Sequence, residues 1–112
     1  MHEATLGKSI LRIVLEKNGK NPIRAVRVSI GGAHALEENQ LFSAWKALTS
    51  GTLAGESELV ITRPPLRFQC RQCQNEFSPS EGLEWRCPGC DSVGLEIVGG
   101  REMEVVSIIL KE

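Results

Sequence analysis

The chain has 112 residues, with 13 lysines and arginines against 14 aspartates and glutamates, for a formal net charge of -1. That length holds one compact body, or one body with a small appendage, and the near-neutral balance leaves no electrostatic footprint for nucleic acid. No stretch approaches the roughly 18 apolar residues of a membrane span, and Met1-His2-Glu3 lacks the basic region and long apolar core of a signal peptide, so a cytoplasmic location is expected.

The first predicted element is a helix from Glu3 to Lys17. Leu6, Ile10, Ile13 and Val14 recur at helical spacing, Leu11 widens the stripe, and Lys8, Arg12 and Glu16 fall on the other side. Asn18-Gly19 stops it, because glycine accepts the left-handed conformation past a helix end. The run RAVRVSI then alternates. Val26, Val28 and Ile30 are expected on one face, Arg27 and Ser29 on the other, as in a half-buried strand. A second helix is predicted from Glu37 to Ser50, with Leu41, Trp45 and Leu48 on one face and Glu37 and Glu38 at its positive end. SELVITR follows as a short strand stopped by Pro64-Pro65. After an insert, EMEVVSIIL (Glu102 to Leu110) returns to strand character, with both parities apolar enough for its inner part to be covered on two faces.

This order predicts an α+β fold: two helices packed on a small three-stranded sheet, with an inserted cysteine-rich domain. Residues 1–65 with 101–112 are expected to form the α/β domain and 66–100 the insert. Pro64-Pro65 and Gly99-Gly100, which connect them, are suited to a hinge or a sharp turn.

The insert reads CRQCQNEFSPSEGLEWRCPGC. Cys70 and Cys73 form one CxxC pair, and Cys87 and Cys90 form another thirteen residues later. Two such tight turns close a tetrahedron of sulfurs around zinc, with Zn–S about 2.3 Å. The insert has too few apolar groups to fold alone, and metal supplies on the order of 10 kcal/mol at neutral pH. In a reducing compartment a disulfide framework is disfavoured. A thioredoxin-like centre needs one CxxC at a helix start, and catalytic zinc needs an open position that four thiolates do not leave. The four cysteines are therefore expected to hold structural zinc. Phe77 and Trp85 are expected to cover the knuckles rather than stack bases.

The other candidate site is the amino terminus. Met1 is expected to be retained before a residue as large as His2. The Met1 amine, the His2 amide nitrogen and the His2 imidazole can close fused chelate rings around one ion, with the Glu3 amide nitrogen as a fourth donor. A planar nitrogen set suits Ni(II) or Cu(II) rather than zinc, and the protons that leave on binding make affinity pH-dependent. Taken alone, a histidine at position 2 reads as a frayed, solvent-facing residue. The combination with two zinc knuckles and a helix starting directly at the terminus raises the chelate above that reading.

With these motifs in place the chain resembles the HypA/HybF family of nickel-insertion metallochaperones for [NiFe]-hydrogenase maturation. The resemblance rests on Met1-His2-Glu3, the strand ending Ile30-Gly31, the helix with Leu41 and Trp45, both CxxC pairs and the strand from Gly100-x-Glu102-Met103. It implies nickel at Met1, His2 and Glu3, and structural zinc at Cys70, Cys73, Cys87 and Cys90. It implies a carrier rather than an enzyme. The partners it implies are a HypB-like hydrogenase-maturation GTPase, the hydrogenase large-subunit precursor and, in some organisms, urease maturation proteins, with no nucleic acid and no membrane. Some members carry histidines beside the zinc cysteines; this insert has none, which weakens any pH switch centred there. The only other histidine, His34, is expected to be a solvent-facing loop residue, its alternative role being to assist nickel. Two competing readings are a zinc-ribbon module for protein or nucleic acid without nickel function, and a redox protein cycling its CxxC pairs.

Overall fold

In a computed structural model, residues 2–79 and 85–112 are described. The order is α1 (Glu3–Asn18), β1 (Ile23–Ile30), α2 (Glu38–Thr49), β2 (Glu58–Thr62), β3 (Arg67–Cys70), β4 (Glu76–Phe77), β5 (Leu95–Gly99) and β6 (Met103–Leu110). The strands form two sheets, ordered β2-β1-β6 and β4-β3-β5. The expected α+β class and the sheet with two helices are both present.

α1 buries Leu6, Ile10 and Val14, one residue per turn, while Lys8, Arg12 and Glu16 stay exposed. Gly7 is buried among them: a Cβ there would come within 2.9 Å of Leu48 Cδ1, so its absence lets α2 approach. The helix ends at Gly19, whose φ of 66° only glycine adopts without cost. Asn18 and Asn21 then exchange side-chain amide to carbonyl hydrogen bonds, which turns the chain into β1.

β1 is the central strand. It pairs in parallel with β2, Val26 opposite Leu59 and Val28 opposite Ile61. The Pro22 carbonyl accepts from Lys111 N–H at 3.0 Å, and Gly31 N–H donates to the Glu102 carbonyl at 2.7 Å, so β6 runs antiparallel to β1. The expected exposure of Ser29 is corrected: Ser29 is 8% exposed and Ala25 7%, because strands on both sides shield the outer face of a central strand. Of that face, Arg27 remains exposed; Arg24, also exposed, lies on the opposite face near the start of the strand. β6 is an edge strand. Its inner residues Val105, Ser107 and Ile109 are half-covered, whereas Val106 is 58% exposed. In α2, Leu41 and Trp45 are buried, and Trp45 Nε1–H donates to Ser57 Oγ at 2.9 Å.

The chain divides into two compact units. One holds both helices and most of the β2-β1-β6 sheet; the other is Ile30–His34 with Arg63–Glu102. The second unit thus takes in a stretch after β1 as well as the cysteine insert. Its segments are laced together. Arg63 donates from Nε to the Ile30 carbonyl at 2.6 Å, and from one terminal nitrogen to the carbonyls of Gly31 at 3.2 Å and His34 at 2.6 Å. Gly32 N–H donates to the Pro64 carbonyl and Ala33 N–H to the Gly100 carbonyl. Gly31 and Gly100 cross so closely that a Cβ on Gly31 would stand 2.1 Å from the Gly100 oxygen.

The insert also folds more regularly than its composition implies. β3 pairs antiparallel with β4 (Phe68 opposite Phe77) and with β5 (Phe68 opposite Ile97). Phe68, Cys70, Phe77 and Cys87 form its buried cluster, with Leu66 and Leu95 packed against it.

Candidate metal centre

The two CxxC pairs adopt one local geometry twice. Gln74 N–H donates to the Cys70 carbonyl and Cys70 N–H to the Asn75 carbonyl; Asp91 N–H donates to the Cys87 carbonyl and Cys87 N–H to the Ser92 carbonyl. The residue after the second cysteine of each pair is left-handed, with φ of 65° at Gln74 and 64° at Asp91. That reversal turns both sulfurs of a pair to the same side. In each pair a backbone N–H also reaches the first sulfur: Cys73 N–H to Cys70 Sγ at 3.5 Å, and Gly89 N–H to Cys87 Sγ at 3.3 Å.

The four Sγ atoms all lie within 4.8 Å of one another. Cys70 Sγ is 3.5 Å from Cys90 Sγ, and Cys73 Sγ is 3.5 Å from Cys87 Sγ. A zinc tetrahedron with bonds of about 2.3 Å has sulfurs about 3.8 Å apart, so the cluster fits structural zinc and is too open to be two disulfides. Cys70 and Cys87 are buried, whereas Cys73 and Cys90 are exposed.

Charge in this cluster is unevenly placed. The Cys73 N–H lowers the Cys70 thiol to about 6, against the opposing effect of burial. Burial likewise opposes ionisation of Cys87, and the N–H groups of Gly89 and Cys90 overcome it, so Cys87 is lowered. Cys73 moves the other way: the Asn75 N–H favours its thiolate, but the Cys87 sulfur and burial prevail. At Cys90 the Ser92 N–H is outweighed by the Cys70 sulfur, burial and the two remaining sulfurs, and the thiol is pushed up to about 12. Two sulfurs take negative charge first and resist its arrival on the other two. A central dication resolves that conflict, which is why four crowded cysteines suit a metal better than an empty thiol cluster.

The aromatic cover is split. Phe77 is 1% exposed, its ring centroid 5.7 Å from that of Phe68, as expected for a residue beneath the knuckles. The Trp85 ring centroid lies 5.2 Å from that of Phe68, yet Trp85 is 57% exposed, so it caps the cluster only in part.

At the amino terminus, His2 is the N-cap residue of α1, extended at φ -85° and ψ 103°, and its side chain makes no capping hydrogen bond. Its carbonyl accepts the Leu6 N–H at 3.0 Å, so the backbone is engaged while the exposed imidazole is left out of the helix. His2 shares a shallow depression with Thr5, Leu6, Ser9 and Met103. Glu3 is half-buried, and its carboxylate accepts the Glu37 N–H at 3.2 Å, which holds its pKa below the usual value. Met1 lies outside the described residues. His34 departs from the free loop residue expected: it is half-buried, and its Nε2–H donates to the Arg101 carbonyl at 2.9 Å. Among the described residues no helix is long and apolar enough to cross a membrane.

Comparison with known proteins places this geometry in context. A hydrogenase maturation factor HypA from Chlorobium luteolum is 35% identical over 115 residues, spanning all of this chain and 97% of that protein. Another from Geotalea daltonii is 31% identical over 105 residues, 94% of each chain. The solution structure of the Ni metallochaperone HypA from Helicobacter pylori superposes with a TM-score of 0.68 at 25% identity, covering 98% of this chain and 97% of that one. The family described as hydrogenase/urease nickel incorporation, metallochaperone, hypA matches residues 1–110. A match of that extent takes in the His2 terminus, both helices and all four clustered cysteines, and the chain belongs to the HypA family of nickel-incorporation metallochaperones.

Proposed function

We propose that this chain binds one Ni(II) through the Met1 amine and the His2 amide and imidazole nitrogens, with Glu3 completing the motif, and passes the ion on during [NiFe]-hydrogenase maturation. Zinc is held by Cys70, Cys73, Cys87 and Cys90 as a structural ion. The observation that carries the nickel assignment is the state of His2: its imidazole is exposed and unused by the helix it begins, in a member of a nickel-incorporation family. Three nitrogens from two consecutive residues chelate in sequence, so they can also be displaced one at a time. A carrier needs that stepwise release.

Residues 1–65 with 101–112 serve as the nickel domain and 66–100 as the zinc domain in this account. Candidate recipients are a HypB-like GTPase and the hydrogenase large-subunit precursor, with urease maturation proteins as a second route. These exchanges belong in the cytoplasm, where thiolates stay reduced. The chain is a carrier and not an enzyme, in keeping with its family. The zinc-ribbon module and the redox protein both lack support from the full-length match. The test is calorimetric titration of untagged protein and of His2→Ala with Ni(II). One equivalent should bind to the first and none with comparable affinity to the second; equal uptake by both overturns the assignment.

A further inference from the structure

The acidic residue of the terminal motif has a second partner. Glu3 Oε2 accepts the backbone N–H of Glu37 at 3.2 Å, 34 residues away. Glu37 is the N-cap of α2, and its own carboxylate accepts the Asn39 N–H at 3.1 Å while its carbonyl accepts the Leu41 N–H at 3.1 Å. One glutamate side chain therefore ties the first residue of α1 to the first turn of α2. His2 stands just ahead of it with no side-chain bond of its own in the cap. A helix end without such a tie frays, and each residue that must be fixed before a chelate closes weakens binding by the entropy of its backbone.

The geometry points to Glu3 as a positioning residue whose carboxylate does not bind nickel but fixes the backbone from which the Met1 and His2 nitrogens project. This deepens the nickel reading above and rests on it. A carboxylate ligand and a carboxylate tether make opposite demands on substitution. Glutamine keeps an oxygen that can accept the Glu37 N–H, yet is a poor nickel ligand; alanine removes both capacities.

The experiment titrates Ni(II) into full-length wild type, Glu3→Gln, Glu3→Ala and His2→Ala, recording the visible spectrum of the bound ion and amide exchange at Glu37. Glu3→Gln should bind nickel within about twofold of wild type, with an unchanged spectrum and a protected Glu37 amide. Glu3→Ala should expose the Glu37 amide and weaken nickel roughly tenfold, the cost of ordering about one residue's backbone, while the spectrum of the saturated form stays that of wild type. If Glu3→Gln weakens nickel as much as Glu3→Ala, or either variant alters the spectrum, the carboxylate is a ligand and the inference is wrong. It also fails if Glu3→Ala leaves both affinity and Glu37 exchange unchanged. A His2→Ala protein that binds like wild type removes the nickel reading itself, whatever the Glu3 variants do.

Discussion

Replacing Cys73 by alanine should release zinc and unfold the unit that holds it. The buried apolar cluster there is small: Phe68 and Phe77, two cysteines, and the partly covered Leu66 and Leu95. Two phenylalanines contribute about 3–6 kcal/mol by burial. Ordering even ten residues of backbone costs more than that, at about 1–2 kcal/mol each. The metal supplies the difference, on the order of 10 kcal/mol at neutral pH. Cys73 is the right thiol to remove because it is exposed, so its loss leaves no large cavity and isolates the effect of the ligand. The cluster geometry makes the loss severe: the sulfur of Cys73 faces that of Cys87 at 3.5 Å, and without it one corner of the tetrahedron is missing. Zinc content can be read with a chromogenic chelator and folding by amide exchange. The expected result is less than one-tenth of an equivalent of zinc after dialysis against chelator, with protection lost at Phe68, Phe77 and Ile97. Protection of Leu6, Val14 and Leu41 should persist. A Cys73→Ala protein that keeps one zinc and a protected Phe68–Phe77 pair would refute the reasoning.

Three further outcomes follow from particular contacts. Gln74→Gly should stabilise the zinc unit by about 1 kcal/mol, because a residue with a Cβ is strained in the left-handed region at φ 65°; chelator concentration at half-release of zinc measures this. Arg63→Lys should recover only part of what Arg63→Ala loses, since one ammonium cannot span the three carbonyls of Ile30, Gly31 and His34, and the alanine variant should lose about 2 kcal/mol or more in urea unfolding. Acid should release zinc where alkali does not. The Cys70 thiol, lowered from 9.0 to about 6, contributes stability that is complete above the unfolded value and lost as pH falls through the folded one. Protons also compete with the ion for all four sulfurs, so zinc retention followed from about pH 9 downward should fall steadily with acid, and retention unchanged down to strongly acidic pH would contradict this.

The sequence made some elements plain because each one repeats a simple physical signal. The run Leu6, Ile10, Val14 has helical spacing, and Gly19 has one conformational role, so α1 was predicted within a residue of its observed end. The CxxC pairs carried their own geometry, because a tight turn with two sulfurs leaves little choice of partner. Other features depend on partners that no local pattern reveals. Ser29 looked like the polar side of an alternating strand, but β1 lies between two neighbours and its outer face is shielded. β3 and β4 have four and two residues, too short for an alternation to register. His34 and Arg63 are held by backbone carbonyls, and any sequence supplies those. The Glu3 tether joins residues 34 apart, so it too was out of reach until α1 and α2 were packed. One signal was available and unused: in both knuckles the residue after the second cysteine reverses the chain, and aspartate at position 91 tolerates that conformation better than most.

In the proposed chelate the amine of Met1 and the imidazole of His2 act together on one ion. The most direct measurement is the absorption spectrum of Ni(II) bound to the protein before and after acetylation of that amine alone, with His2 intact. Acetylation should abolish the band of a planar nitrogen-ligated ion and leave zinc in place. An unchanged nickel spectrum on the acetylated protein would contradict the claim.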